Sequence, residues 1–372
     1  MKKPYIPQKL PPESIDWTSH VSAIAQANAA LARYDGILET MVNPVLLLSP
    51  LTTQEAVLSS RIEGTQATLE EVLEFEADTT RKIAPAKRAD IQEIINYRTA
   101  VNKAVELLDK KPLCLSLILE LHNILMDSVR GANKARGQFR RTQNWIGPAG
   151  CTMEEATFIP PTADVMTQAL DNWEKYIHQD EKDRLVQLAV VKAQFELIHP
   201  FLDGNGRIGR MLVPLFLFDK KLLSRPMFYL SAYLERNRAQ YYQALNAISE
   251  RDDWNGWIRF FLHAVIEQAR ENIQKAKAII SLYEEMKQRI PAITRSQYAV
   301  QTIDAIFYLP IFTTAGFAKK TTIPLPTAKR IVDALAKENL LRPLTEAKGR
   351  QGTRWVFAPL LRIMSLEDMD HV

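Results

Sequence analysis

Twelve consecutive residues, His199-Pro200-Phe201-Leu202-Asp203-Gly204-Asn205-Gly206-Arg207-Ile208-Gly209-Arg210, constrain this chain more than any other stretch. They lie between an apolar run from Leu185 to Ile198, which reads as a buried helix, and a second apolar run from Met211 to Phe218. One loop therefore holds a histidine, a carboxylate, an asparagine, three glycines and two arginines. Gly204, Gly206 and Gly209 let the backbone approach a ligand closely and adopt φ > 0, so that successive N–H groups form an anion nest. A helix restarting near Gly206 adds its N-terminal N–H groups and dipole to that nest. Asp203 is a natural Mg²⁺ ligand, because that ion is held by one or two carboxylates plus phosphate oxygens. Asn205, Arg207 and Arg210 offer donors, and an arginine fork suits phosphate oxygens bidentately. His199 titrates near neutral pH and is the one general base the set offers. The loop is built to hold a polyphosphate and take a proton. Gly204 to Gly209 also fit the pattern GxGxxG, but they follow a helix rather than a strand, so a Rossmann reading fails.

Upstream, Thr52-Thr53-Gln54-Glu55 reads as a capping box that opens a helix, and Gly64 as the C′ residue that ends it. Ser59 and Glu63, four residues apart, share one face of that helix. A carboxylate in a last turn opposes the macrodipole by a few tenths to about 1 kcal/mol. On spacing alone, Glu63 is a solvated helix-end residue.

The twelve-residue stretch resembles the signature of the Fic-domain family, HPFx(D/E)GNGRxxR, at every specified position. That resemblance implies an all-helical core and nucleotide transfer to a protein hydroxyl, most often AMP from ATP. His199 would then be the catalytic base that deprotonates a target Ser, Thr or Tyr, and Phe201 would pack beneath the loop. Asp203 would hold Mg²⁺ between the α- and β-phosphates, Asn205 and Arg207 would contact those phosphates, and Arg210 would pair with the γ-phosphate. Gly204, Gly206, Ile208 and Gly209 complete the implied ATP-binding loop. Ser59, Glu63 and Gly64 match the family's inhibitory pattern (S/T)xxxE(G/N). By that likeness Glu63 would enter the active site and pair with Arg210, which could then no longer hold a γ-phosphate.

The rest of the chain is consistent with a helical protein. Helices are predicted over 17–41, 69–75, 91–108, 115–126, 163–177, 183–198 and from Arg238, with a charged connection from Lys82 to Arg88. Pro214 should kink or interrupt the helix behind the motif, and Trp254 to Tyr283 reads as one long helix. Between Gly137 and Pro161 the pattern turns β-like around a polar turn, which predicts a hairpin. In the family this is the flap, on which a target segment docks by strand addition. Thr157, Phe158 and Ile159 are the expected flap residues beside ATP. Tyr241 and Tyr242 are expected to line the adenine pocket. Some family members carry an asparagine seven residues past the second tyrosine, and here that position is Ser249.

From Arg295 onward, eleven Lys/Arg oppose seven Asp/Glu, so the whole formal charge of +4 resides in the tail. Helices over 300–308, 313–318 and 325–338, then two strands with a tip at 347–352, resemble a winged helix-turn-helix. Lys329, Arg330, Lys348 and Arg350 could contact phosphates, which makes DNA one partner and a protein-docking or dimerisation role the other.

The fold class expected is mainly α: a Fic-type helical core with a β-hairpin flap, plus a small C-terminal winged helix-turn-helix (α+β) domain. The domains would be an N-terminal helical region (1–110) with the inhibitory helix (about 52–64), a catalytic core (111–285) with flap (about 137–161) and motif loop (199–210), and the tail domain (286–372). ATP and Mg²⁺ are the expected substrate and metal, a target protein the partner, and a homodimer a further expectation. No 18-residue apolar run spans a membrane, no leader is apparent, and two cysteines (Cys114, Cys151) form no disulfide framework or zinc pattern, so the cytoplasm is the expected location. Two alternatives stand: another phosphate-containing group or de-AMPylation at the same site, and a nucleotide-sensing DNA-binding regulator.

Overall fold

The computed structural model describes residues 3–79, 83–127, 135–148, 150–345 and 352–364. In chain order these form α1 (Trp17–Thr40), α2 (Pro44–Leu47), α3 (Ser49–Ile62), α4 (Leu69–Ala77), α5 (Pro85–Leu108) and α6 (Leu115–Leu125). Next come α7 (Ala163–Ile177), α8 (Arg184–Ile198), α9 (Asn205–Asp219), α10 (Ser231–Arg236), α11 (Arg238–Arg251) and α12 (Trp254–Thr294). The last segment holds α13 (Ala299–Tyr308), β1 (Ile311–Thr313), α14 (Thr314–Thr321), α15 (Leu325–Lys337), β2 (Arg342–Thr345), β3 (Arg354–Val356) and α16 (Ala358–Met364). The mainly α expectation holds.

Several boundaries differ from the sequence reading, each for a local reason. Helix α3 starts three residues before Thr52, with Pro50 in its first turn, where its missing N–H costs nothing. The Thr52 and Thr53 hydroxyls therefore donate one turn back, to the Leu48 and Ser49 carbonyls, and form no capping box. The capping box is instead Thr68 with Glu71, which opens α4: Glu71 N–H donates to Thr68 Oγ1, and Thr68 N–H donates to Glu71 Oε2. At its far end α3 closes as expected. Gly64 N–H donates to Arg61 O and Thr65 N–H to Ser60 O, with Gly64 at φ +97°, which is a Schellman motif.

Residues 85–88, expected as part of a connection, form the first turn of α5, where Lys87 pairs with Glu71 at 2.8 Å; Lys82 lies outside the described residues. Pro214 sits inside α9 without interrupting it, and α12 runs through Pro291 to Thr294, well past Tyr283. The predicted hairpin reduces, among the described residues, to a single antiparallel bridge between Ile146 and Phe158.

The chain divides into two compact units. The first comprises Met1–Gly36, Leu58–Thr65 and Ile95–Arg270. Its centre is α8, which is buried at every residue from Leu185 to Ile198 and packs between α7 and α9. Asp183 caps α8 by accepting from the Leu185 and Val186 N–H groups. Trp173 on α7 and Trp257 on α12 donate their indole N–H groups to α8 carbonyls, each at 2.8 Å.

The second unit comprises Ile37–Val57, Gln66–Ile94 and Glu271–Val372. Its antiparallel sheet has the order β1-β3-β2, with Ile311 and Arg342 both opposite Val356. Leu73, Ile311 and Val356 form a cluster there, with Leu69, Ala77, Leu309 and Leu344 against it. The predicted tail helices and strand pair occur in the predicted order, with β1 and α16 in addition. The expected wing tip, with Lys348 and Arg350, lies outside the described residues.

Candidate functional site

The site is assembled where α8 stops and α9 starts. His199 is the C-cap of α8 in the left-handed region (φ 49°, ψ 62°), which turns the chain sharply out of the helix. Gly204, at φ 81°, is the N-cap of α9, so the helix begins one residue before Gly206. Gly206 and Gly209 have ordinary helical φ rather than the positive φ expected of all three glycines. Their smallness has another use. A Cβ on Gly206 would lie 2.1 Å from Glu63 Oε1, and one on Gly209 would lie 2.9 Å from Glu196 Oε1.

Between the two helices the loop is held by its own side chains. Asn205 makes a two-way clasp on Phe201: its Nδ2 donates to Phe201 O and its Oδ1 accepts from Phe201 N–H, both at 2.8 Å. Phe201 is fully buried and stacks on His122, with ring centroids 3.8 Å apart and planes 7° apart. His122 Nδ1 accepts from Gly137 N–H, so its proton is on Nε2 and is donated to Asp203 O at 3.0 Å. Burial pushes His122 down to about 4, so it is a neutral strut. The Asp203 carboxylate is half-exposed; it accepts from Gly204 N–H at 2.7 Å and lies 3.3 Å from Arg207 Nη2.

His199 Nδ1 faces the Glu196 carbonyl at 3.3 Å, which can only accept. The proton therefore belongs on Nδ1, and Nε2 keeps a free lone pair. Burial, with a contribution from the Arg140 charge, pushes His199 down to about 4. Near neutral pH the imidazole is uncharged and ready to accept a proton.

Arg210 is 2% exposed. Its Nε donates to Ser59 Oγ at 2.8 Å, and Nη2 donates to Ser59 O at 2.9 Å and to Glu63 Oε1 at 2.6 Å. Burial lowers its pKa most, but the Glu63 charge and hydrogen bond together with the Tyr241 and Glu196 charges outweigh that, and the guanidinium is held above its ordinary value. Burial pushes the Glu63 carboxyl up; Arg210, then Arg207 and His199, bring it below the usual carboxylate value.

His199, Arg210 and Glu63 border a cavity of about 330 Å³. Of the sequence-predicted residues, Glu63, Thr157, Phe158, His199, Gly206, Arg210, Tyr241 and Tyr242 line it. Asp203, Gly204, Asn205, Arg207, Ile208, Gly209 and Ile159 do not; the Ile208 side chain is in the core, and Ile159 O is taken by Tyr5 N–H. The lining also includes Ile146, Gly147, Glu196, Leu197, Leu245 and Asn246, none singled out from the sequence. Beneath Glu196 lies a buried charge network. Lys192 Nζ is 2.5 Å from Glu196 Oε1 and 3.0 Å from Tyr241 Oη, and Tyr241 Oη donates to Glu196 Oε2 at 2.5 Å. Two opposite charges four residues apart inside a mostly apolar helix are the visible signal for this pair.

The arrangement offers a neutral base, an arginine held by an acid, and a half-exposed carboxylate on one loop. Residues 21–106 match the domain described as Fic/DOC family N-terminal, and residues 112–217 match the domain described as Fic/DOC family, together just over half of the chain. The chain is similar to a protein adenylyltransferase Fic of Drosophila grimshawi, 30% identical over 244 residues that cover 62% of this chain and 42% of that protein. A probable protein adenylyltransferase of Aquifex aeolicus is 28% identical over 211 residues, covering 55% and 57%. The chain spans about half the length of these relatives. Among solved structures, a Fic family protein from Desulfovibrio desulfuricans G20 superposes with a TM-score of 0.58 at 22% identity, over 93% of this chain and 98% of that one. Fic-1 from C. elegans gives 0.54 at 18% identity, over 70% and 75%. At such identities the likeness is one of fold.

Proposed function

The chain belongs to the Fic/DOC family, and from that premise we propose that it is a protein adenylyltransferase restrained by its own Glu63. The reaction is in-line attack of a target Ser, Thr or Tyr hydroxyl on the α-phosphorus of ATP. The new O–P bond forms as the bond to the β-phosphate bridging oxygen breaks, the hydroxyl proton goes to His199 Nε2, and pyrophosphate leaves. The observation that carries this reading is the neutral His199 and the buried Arg210 facing one cavity, with the Glu63 carboxylate on that arginine.

Each residue's task follows from its chemistry. His199 contributes as a base already in the right protonation state. Arg210, relieved of Glu63, offers its fork to the γ-phosphate, and backbone N–H groups at the start of α9 face the other phosphates. Asp203 fits a magnesium ion, since one half-exposed carboxylate plus phosphate oxygens suffices for that ion. When bound, Mg²⁺ supplies charge neutralisation to the phosphates. Tyr241 and Tyr242, with Leu245 and Ile146, form the apolar wall suited to the base. The flap stretch at Thr157–Ile159 is the proposed dock for a target segment, with Tyr5 N–H now on the Ile159 carbonyl that such a segment would have to take over. In the tail, the exposed Lys329 and Arg330 of α15 fit a winged helix-turn-helix that contacts phosphates or a protein partner.

The test offers the Glu63→Gly protein α-labelled ATP, GTP, CTP and UTP in turn, measuring label on protein and pyrophosphate released. Label from ATP in preference to the others, with equimolar pyrophosphate, is expected. His199→Ala should lower the rate by about 10²–10⁴-fold while the fold is kept. Equal labelling with His199→Ala overturns the role of that histidine.

A further inference from the structure

We propose that Arg140 is a positioning residue for the catalytic base: its guanidinium holds His199 in the left-handed turn and anchors both ends of the flap stretch to the catalytic loop. The inference rests on the adenylyl-transfer reading for what the base does, but not for the contacts themselves.

Arg140 is 1% exposed and among the largest fully buried side chains. Buried arginines are normally paired with an acid, because an uncompensated charge is costly to bury. Arg140 is held by backbone carbonyls instead. Its Nε donates to His199 O at 2.9 Å, Nη1 to Thr142 O at 3.2 Å, and Nη2 to Pro161 O at 2.5 Å and Ile198 O at 3.4 Å. Its own N–H donates to Pro200 O at 2.9 Å. Ile198 is the last residue of α8 and His199 its C-cap. The cation therefore sits at the negative end of the helix dipole and satisfies carbonyls that have no partner within the helix.

The conformation of His199 is the reason this matters. A non-glycine residue in the left-handed region is strained, so it persists only where its surroundings hold it. Here the carbonyls of His199 and Pro200 are pinned by the side chain and the backbone of one residue. Thr142 and Pro161 flank the Ile146–Phe158 bridge, so the segment that docks the target and the base that takes its proton share one anchor. Asn144 adds to it, donating to Phe201 O at 3.0 Å and to His199 O at 3.4 Å. Only a planar fork reaches carbonyls in this many directions at once, and a lysine cannot. The charged groups acting on the imidazole are Arg140, which opposes its protonation, and Glu63 and Glu196, which favour it.

The test is made in the Glu63→Gly protein with Arg140→Lys and Arg140→Gln added separately. The rate and KM for ATP are measured, and the His199 imidazole titration is followed by NMR. Both variants should lose about 10–100-fold in kcat, with KM for ATP rising by much less, because the base is misplaced while the phosphate contacts of Arg210 and the start of α9 remain. The His199 titration should move up in Arg140→Gln and stay in Arg140→Lys, which keeps the charge. Three results overturn the proposal: parental kcat in Arg140→Lys, a kcat loss matched by a rise in KM for ATP, or an unmoved titration in a folded Arg140→Gln. If Arg140→Gln does not unfold cooperatively on heating, the kcat of Arg140→Lys decides. If the parent transfers no AMP, the adenylyltransferase reading fails, and the NMR arm alone decides whether Arg140 acts on His199.

Discussion

Arg210 has two accepting residues, Ser59 on α3 and Glu63 just past its end, and they differ in kind: one offers a neutral hydroxyl plus a carbonyl, the other a carboxylate. A hydrogen bond to a charged group contributes about 1.5–3 kcal/mol, or roughly 10–100-fold in an equilibrium. Removing the carboxylate should therefore activate more than removing the hydroxyl. The expected order of initial labelling rate is Glu63→Gly above Ser59→Ala above the parent; Ser59→Ala equal to or below the parent contradicts the clasp. At this scale the sequence was informative where chemistry is contiguous. The loop 199–210 carries its residue types within one stretch, so its composition could be read directly. Arg140, His122 and Glu196 are not legible in the sequence, because each acts on groups brought from elsewhere in the chain: the His199 carbonyl, the Asp203 carbonyl and the Tyr241 hydroxyl. Nothing in Gly137–Gly147 marks one of its two adjacent arginines as buried. Asn205 shows the converse: its type suggested a phosphate donor, while its position at the start of α9 gives it the Phe201 backbone to hold.

Helix α3 delivers Glu63 by ending where it does. The Schellman closure needs Gly64 at φ +97°, a conformation that a Cβ disfavours by about 1 kcal/mol even though open space surrounds it. Gly64→Ala should lower the unfolding free energy by about that amount, measured by urea denaturation, and raise the labelling rate as the helix end loosens. An alanine variant with unchanged stability contradicts this. Gly64 was legible because a glycine past a helical pattern has one common use. The start of the same helix was not. Thr-x-x-Glu occurs at both Thr52 and Thr68, and only the second has the extended backbone that a cap requires. Pro50 had already started the first helix, so Thr52 lies within it.

For the molecule as a whole, buried neutral histidine makes stability depend on pH. His122 titrates at about 4 when folded, against 6.5 for an ordinary histidine. The unfolded chain thus takes up the proton first as pH falls. The contribution of His122 is complete above about pH 6.5, declines by about 1.4 kcal/mol per unit toward pH 4, and is constant below that. Denaturation midpoints at pH 7 and pH 5 should differ more for the parent than for His122→Asn; equal differences contradict the assignment. The mainly helical fold was readable from periodicity. The way segments 37–57 and 66–94 join residues 271–372 in one unit was not, because hydrophobic period reports which face is buried and not which distant segment covers it.

Adenylyl transfer restrained by Glu63 is open to one direct measurement. Parent and Glu63→Gly proteins are incubated with Mg²⁺ and ATP labelled on either the α- or the γ-phosphate, and label is followed on the protein and in a cell lysate. Label is expected from the α-phosphate alone, at least about tenfold stronger in Glu63→Gly, the factor expected for a lost charged hydrogen bond. Label from the γ-phosphate, or α-label no stronger in Glu63→Gly than in the parent, contradicts it.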